Sequence, residues 1–397
     1  MACHALRLIV LSLVIAAAAL AGLPIASTLS PKAVLAQSSP AARPKPSSKF
    51  EDLKKRAEQD WQAHLYEEAA SLYRQALDLK PTWSEGWLHL SDCLYQMQRY
   101  SEARDAAREA TIFTPDSAAS WASLGLSEYE LKDYRRSFDD LSKAEKLGTD
   151  SDRDLTAQVK YHLAILWETG GQYEMGLREM LWFTRQNLGS AEILEELGLC
   201  VLRLPAFPYQ IREDQHDLLQ RAGAASFAAN VQKMDLAHKL YEQLAADYPK
   251  QPNVHFAYGQ FLSHSDLDAA LEEYNKEIAL NPEHVPALTE AAFLYLNMGQ
   301  FEKVVSYAQG IAKLQPKNPA GHNLMGRALV EMGRVSDAIP ELALATELDP
   351  DNSSFHLNLA RAYQKAGEAA QASQEIAISD ELERKKAAQH PAQPAPN

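Results

Sequence analysis

Apolar side chains recur along most of this chain at the three- and four-residue spacing of one helix face, and the helices this predicts come in pairs. Trp87, Leu90, Ser91 and Leu94 share a face of one helix, and Ala103, Ala107 and Ala110 share a face of the next, which ends at Pro115. The pair before it ends at Pro81, and its second helix carries Ala69, Tyr73 and Ala76 at matching offsets. Pro81 and Pro115 are 34 residues apart, and Pro282, Pro316 and Pro350 repeat that interval. A proline without an N–H donor closes each second helix, and the small residues mark where the paired helices approach closely.

These positions resemble the tetratricopeptide pattern, W-x2-L-G-x2-Y followed by A-x3-F and a closing proline. Trp121, Leu124 and Gly125 match its opening, and Ala237 with Tyr241 and Ala270 with Tyr274 match its middle. Met325, Gly326, Ala338, Ala345 and Pro350 match nearly a whole unit. In this register units begin near Phe50, Ser84, Ala118, Ala157, Ala191, Leu218, Gln251, Val285, Pro319 and Ser353. The resemblance implies an all-α, right-handed solenoid of stacked antiparallel helix pairs, about ten units in all. Departures are visible, such as Thr149 where a proline is expected.

The largest departure follows Leu202. Leu197 and Gly198 are in register, but Pro205 and Pro208 interrupt the place of the partner helix. One helix of the pair is therefore expected to be missing, which interrupts the solenoid near residues 203–214. A proline-containing loop or hinge at 204–217 then divides a first subarray, 50–203, from a second, 218–380. That loop reads either as a contact site or as a cover, with Phe207 and Tyr209 packed over the exposed seam.

Composition adds little to the fold and more to the setting. Only 17 glycines and 8% aromatic residues favour helix over sheet. A formal net charge of −14 argues against nucleic acid, which needs clustered Lys and Arg. Arg7, the apolar run Leu8 to Ala26 and the small-residue stretch ending Val34-Leu35-Ala36 read as a signal peptide over residues 1–36, with an uncleaved anchor as the alternative. Residues 37–49, rich in Ser, Pro and Ala, read as a disordered linker, and 381–397 as a charged helix end with a disordered tail. Export to the periplasm, cell envelope or medium is expected, or an inner-membrane anchor facing the periplasm. The bacterial setting rests on the style of the signal alone.

The resemblance further implies that first helices line a concave groove that receives a protein or peptide. Its groove positions fall on Glu51, Glu58, Glu85, Asp92, Tyr95, Tyr129 and Glu130 in the first subarray, an acidic stretch. In the last units they fall on Asn297, Asn323, Arg327, Arg361, Gln364 and Lys365, with Glu331 nearby, a set suited to a carboxylate or acidic segment. The Lys and Asn arrangement of the carboxylate-clamping members is not reproduced. Nor is the asparagine ladder of glycosyl-transferring relatives, because His89, Ser123, His162 and Glu196 stand there instead.

The search for chemistry yields no catalytic signature. Cys93 and Cys200, three units apart, are expected to be buried, inert and too distant for a disulfide. His322 and His356 recur where the pattern prefers Trp, so packing is expected of them rather than metal binding. No His-Glu-x-x-His spacing, phosphate-cradling glycine loop or G-x-S-x-G elbow occurs, and no cofactor or metal is expected. The sequence thus points to an exported, non-enzymatic scaffold or adaptor that binds a protein or peptide, possible contexts being envelope assembly and secretion. The alternatives are an exported enzyme or enzyme subunit, for instance acting on a polysaccharide, and a purely structural spacer.

Overall fold

A computed structural model describes residues 46–389. The expected signal peptide, linker residues 37–45 and the tail beyond residue 389 lie outside the described residues. Among those described the chain is helical with no strand, and it forms two compact units that divide between Met234 and Asp235. No described helix is long and apolar enough to cross a membrane.

In the first unit, α1 (Pro46–Gln62) pairs with α2 (Tyr66–Leu79), α3 (Ser84–Gln96) with α4 (Tyr100–Phe113), and α5 (Ala118–Glu130) with α6 (Tyr134–Leu147). Next come α7 (Arg153–Thr169) with α8 (Tyr173–Arg185), and then α9 (Ala191–Val201) with α10 (His216–Asn230). The second unit opens on α11 (Met234–Asp247). It continues through three further pairs, α12 (Val254–Leu262) with α13 (Leu267–Leu280), α14 (Val285–Asn297) with α15 (Phe301–Leu314), and α16 (Pro319–Glu331) with α17 (Val335–Leu348). The last pair is α18 (Ser353–Ala366) with α19 (Ala369–Gln389). Ser84, Ala118, Ala191, Val285, Pro319 and Ser353 each begin a helix, as the 34-residue register places them. Helix α1 begins at Pro46, so the last four residues assigned to the linker form its first turn.

Most hairpin turns are built on one left-handed residue. It is His64, Gln98 and Lys132 in three hairpins of the first unit and Gly299, Gly333 and Gly367 in three of the second. The next residue's N–H then reaches back five residues, as from Leu65 to Asp60, Arg99 to Leu94 and Arg334 to Leu329, each at 2.8 Å. This Schellman closure satisfies carbonyls that the end of the first helix would otherwise leave bare, and it turns the chain tightly into the second helix.

The hairpins then share their apolar stripes. Ala103, Ala107, Ala237, Ala270, Ala338 and Ala345 are all fully buried, and Tyr73 and Tyr274 fill the wider spaces. Because Ala338 stands where α17 is sealed from solvent, Ala338→Leu is expected to cost about 1–3 kcal/mol by overpacking. Thermal unfolding checks this, and an unchanged midpoint would count against the register.

No α-helix forms between Val201 and His216, in line with the expected interruption, but α9 is paired all the same. Helix α9 is not left without a partner, because α10 packs along it and occupies the partner's place. Two glycines make this possible. A Cβ on Gly198 would lie 2.1 Å from the Leu219 carbonyl oxygen, and one on Gly223 would lie 1.8 Å from that of Leu194. The backbones therefore touch at the crossing, which sequence periodicity does not reveal. The segment between the helices holds two short 3-10 turns, Pro208–Gln210 and Glu213–Gln215.

Candidate functional site

The Trp position of the repeat shows how the histidines are used. Trp87 and Trp121 donate Nε1–H to the carbonyls of Pro81 and Pro115, each at 2.7 Å. His255, His322 and His356 offer Nε2 to the carbonyls of Pro249, Pro316 and Pro350, at 3.1, 3.0 and 3.0 Å. A carbonyl only accepts, so Nε2 carries a proton and the histidine replaces the indole donor. Each Nδ1 meets a carboxylate on the following helix: Glu273 at 2.6 Å, Glu341 at 2.7 Å and Glu375 at 2.6 Å. His322 and His356 thus join a helix to its partner and to the preceding turn, in keeping with the packing role.

At His255 the hydrogen bond that Nδ1–H donates to Glu273 raises the imidazole above its ordinary value of 6.5 against the opposing effect of burial. The contact's stabilisation is fully present below about pH 6.5 and is lost as pH rises through the elevated folded value. Glu273 is itself held below the ordinary carboxylate range, although burial opposes this, by His255 and Lys276. Its contribution is therefore lost in acid. The second unit's urea midpoint is expected to fall between pH 6 and pH 8, with His255→Gln flattening that part of the profile.

In the same unit the first helices α14, α16 and α18 bring several sequence-predicted residues together. Asn297, Arg327 and Arg361 line one pocket of about 280 Å³ with Phe301, Glu331 and Asn358. Arg327 is half-buried, and burial and then the neighbouring Arg361 charge push its guanidinium below its ordinary value. Among the described residues neither guanidinium holds an ion pair or hydrogen bond, because Glu331 is instead 3.5 Å from Lys365. Asn323 is buried beside the pocket and accepts from Asn358 at 2.8 Å. Lys365 turns back to the Val330 carbonyl at 3.3 Å, and Gln364 is exposed outside the lining.

Tyr95 and Tyr129 belong to the first unit. Tyr95 donates to Glu130 at 3.0 Å and Trp61 donates to Asp92, while Lys54 approaches Glu58 at 3.7 Å and Glu85 at 3.8 Å, so four acids of that wall have partners. Tyr129 meets the edge of His162 at 4.6 Å and of Phe207 at 6.4 Å between ring centroids. Phe207 stacks on Tyr134 at 4.2 Å, which makes the proline-containing loop a cover over this seam. Tyr209 stacks on Phe207 at 5.5 Å yet remains 60% exposed.

Comparison with known proteins decides the family. Tetratricopeptide-repeat models match residues 60–125, 261–328 and 329–392, and a second model of the same description matches 224–285. The chain belongs to the tetratricopeptide-repeat family. A curated relative, the small glutamine-rich tetratricopeptide repeat-containing protein 2 of Mycosarcoma maydis, is 31% identical over 78 residues. That match spans 20% of this chain and 22% of the relative. Solved structures that it resembles include MamA 41-end from Desulfovibrio magneticus RS-1, at 18% identity and TM-score 0.40 over 42% of this chain and 96% of that one. Yeast Tom70 is 13% identical at TM-score 0.35, over 85% of this chain and 86% of that one. The protein is a tetratricopeptide-repeat scaffold, a construction typical of protein–protein contact.

Two features of this tetratricopeptide chain escaped the sequence reading. Glu277 of α13 is fully buried and accepts from the Asn253 and Phe256 N–H groups at 2.9 and 3.3 Å, capping α12 from outside. Asn253 in turn lies 2.6 Å from His284 Nε2, and His284 Nδ1 accepts from Ala287 N–H at 2.9 Å to cap α14. The second feature is a buried trio in the first unit, Glu168 of α7 with Glu196 and Cys200 of α9. Its only sequence signal is the Glu196-to-Cys200 spacing of four, which places both on one helix face.

Proposed function

We propose that this chain is an exported, non-enzymatic scaffold that holds an acidic segment of a protein partner against α14, α16 and α18 in its second unit. The observation that carries the reading is the pair of guanidiniums, Arg327 and Arg361, that share a pocket whose carboxylate, Glu331, acts on Arg327 only at a distance and approaches Lys365 instead. Two like charges held together disfavour one another, and a partner's carboxylate relieves that repulsion through charge-assisted hydrogen bonds. The free amide of Asn297 adds a donor at the rim. The overall charge of −14 makes this basic patch local, so long-range attraction is not what selects the partner. Export rests on the amino-terminal apolar run and its small-residue end.

Residues 37–397, immobilised and exposed to an envelope extract, are expected to retain a protein with an acidic segment, and Arg327→Glu with Arg361→Glu is expected to release it. Capture untouched by the double reversal would sink the pocket reading, and no capture at all would favour a spacer. Mass spectrometry of the mature amino terminus is expected to find Gln37 first.

A further inference from the structure

We propose that Glu168, Glu196 and Cys200 form a binding site for one thiophilic divalent metal ion, of which Zn2+ is the natural candidate. The three residues are buried, at 0%, 1% and 1% exposure, and one donor atom from each lies within 4.8 Å of the others. The Cys200 sulfur is 3.6 Å from Glu168 Oε2 and 4.0 Å from Glu196 Oε1. Those are weak thiol hydrogen bonds, and the shorter is also close to the sulfur-to-oxygen edge of a zinc tetrahedron. Bonds of about 2.3 Å to sulfur and 2.0 Å to oxygen at tetrahedral angles place the two ligands ~3.5 Å apart.

An independent observation points to a ligand. Glu196 Oε2, the oxygen of that carboxyl not turned to Cys200, belongs to a side chain sealed from solvent and has no hydrogen-bond partner at bonding distance. A buried polar atom left unsatisfied in a native interior calls for an ion or a water. The neighbouring structure already orients a ligand, because the Ala206 N–H donates to Glu168 Oε1 at 3.3 Å from the proline-containing loop. This outer hydrogen bond is of the kind that positions ligating carboxylates. A thiolate beside two carboxylates selects zinc over magnesium or calcium, which take oxygen ligands alone. On binding, the thiol and carboxyl protons leave to solvent and the ion takes their place. A bound ion would tie α7 to α9 and, through Ala206, fix the loop.

The test uses the full chain, loaded with Zn2+ or Co2+ both in the native state and during refolding from urea. The expected result is one equivalent of zinc retained after dialysis, and a cobalt form with thiolate-to-metal charge-transfer absorption and the intense visible bands of a tetrahedral centre. Cys200→Ser is expected to abolish the charge transfer. Glu196→Gln is expected to keep it and weaken binding at least tenfold, which preserves the test if the serine form misfolds. Cys93→Ser is expected to change neither. Less than a tenth of an equivalent bound by either route, or charge transfer that survives Cys200→Ser, would overturn the site.

Discussion

Gly223→Val is expected to disrupt the pairing of α9 with α10 and to lower the first unit's stability by ~3 kcal/mol or more, the upper end of ordinary overpacking. The atoms that its Cβ would strike are backbone, the nearest being the Leu194 carbonyl oxygen at 1.8 Å. No rotamer change makes room for it, so the helix axes must separate or the loop before α10 must give way. Hydrogen exchange of the α9 and α10 amides reads the effect locally, and urea unfolding gives its size. Gly310 provides the contrast: nothing lies within 4 Å of an added Cβ, so Gly310→Ala is expected to stabilise α15 by about 0.5–1 kcal/mol. A Gly223→Val chain with wild-type protection in both helices would refute the close crossing.

Glu277→Leu is expected to cost the second unit about 3–5 kcal/mol, because two hydrogen bonds to a buried charge are lost and two backbone donors remain unsatisfied. The carboxylate reaches both the Asn253 and the Phe256 N–H groups, and Asn253 sits at φ 69° with no side-chain cap of its own. Asn253 also supports His284, the cap of α14, so the damage is expected to pass from α12 to the next hairpin. Glu277→Gln keeps one acceptor and turns an N–H group toward the other donor, so about half the loss is expected. The urea midpoint and the exchange rate of the Phe256 amide are the readouts. A Glu277→Leu chain that unfolds with the wild type would show that the cap carries no weight.

The difference between what the sequence revealed and what it hid is physical. Helix spacing, closing prolines and small residues recur with the 34-residue repeat, so the hairpins and most first-helix starts were legible. Arg327 and Arg361 were legible for the same reason, since they lie one period apart and stack on neighbouring first helices. What breaks the period was not legible. Pairing of α9 with α10 depends on two glycines 25 residues apart across an irregular loop. Glu277 lies 24 residues from Asn253, and Cys200 lies 32 from Glu168, spacings that only the folded stack brings into contact. The cover that the loop offered as one of its two readings is seen in Phe207, but its target, Tyr129 and Tyr134 of another hairpin, has no signal in the repeat.

Titration calorimetry of an extended Asp- and Glu-rich peptide into the full chain tests most directly whether the second unit's first helices hold an acidic partner. The expected result is saturable one-to-one binding that weakens with added salt and falls at least tenfold in the Arg327→Glu, Arg361→Glu form, while that form keeps its helix content. Equal binding by the two forms, or none by the wild type at low salt, would contradict it.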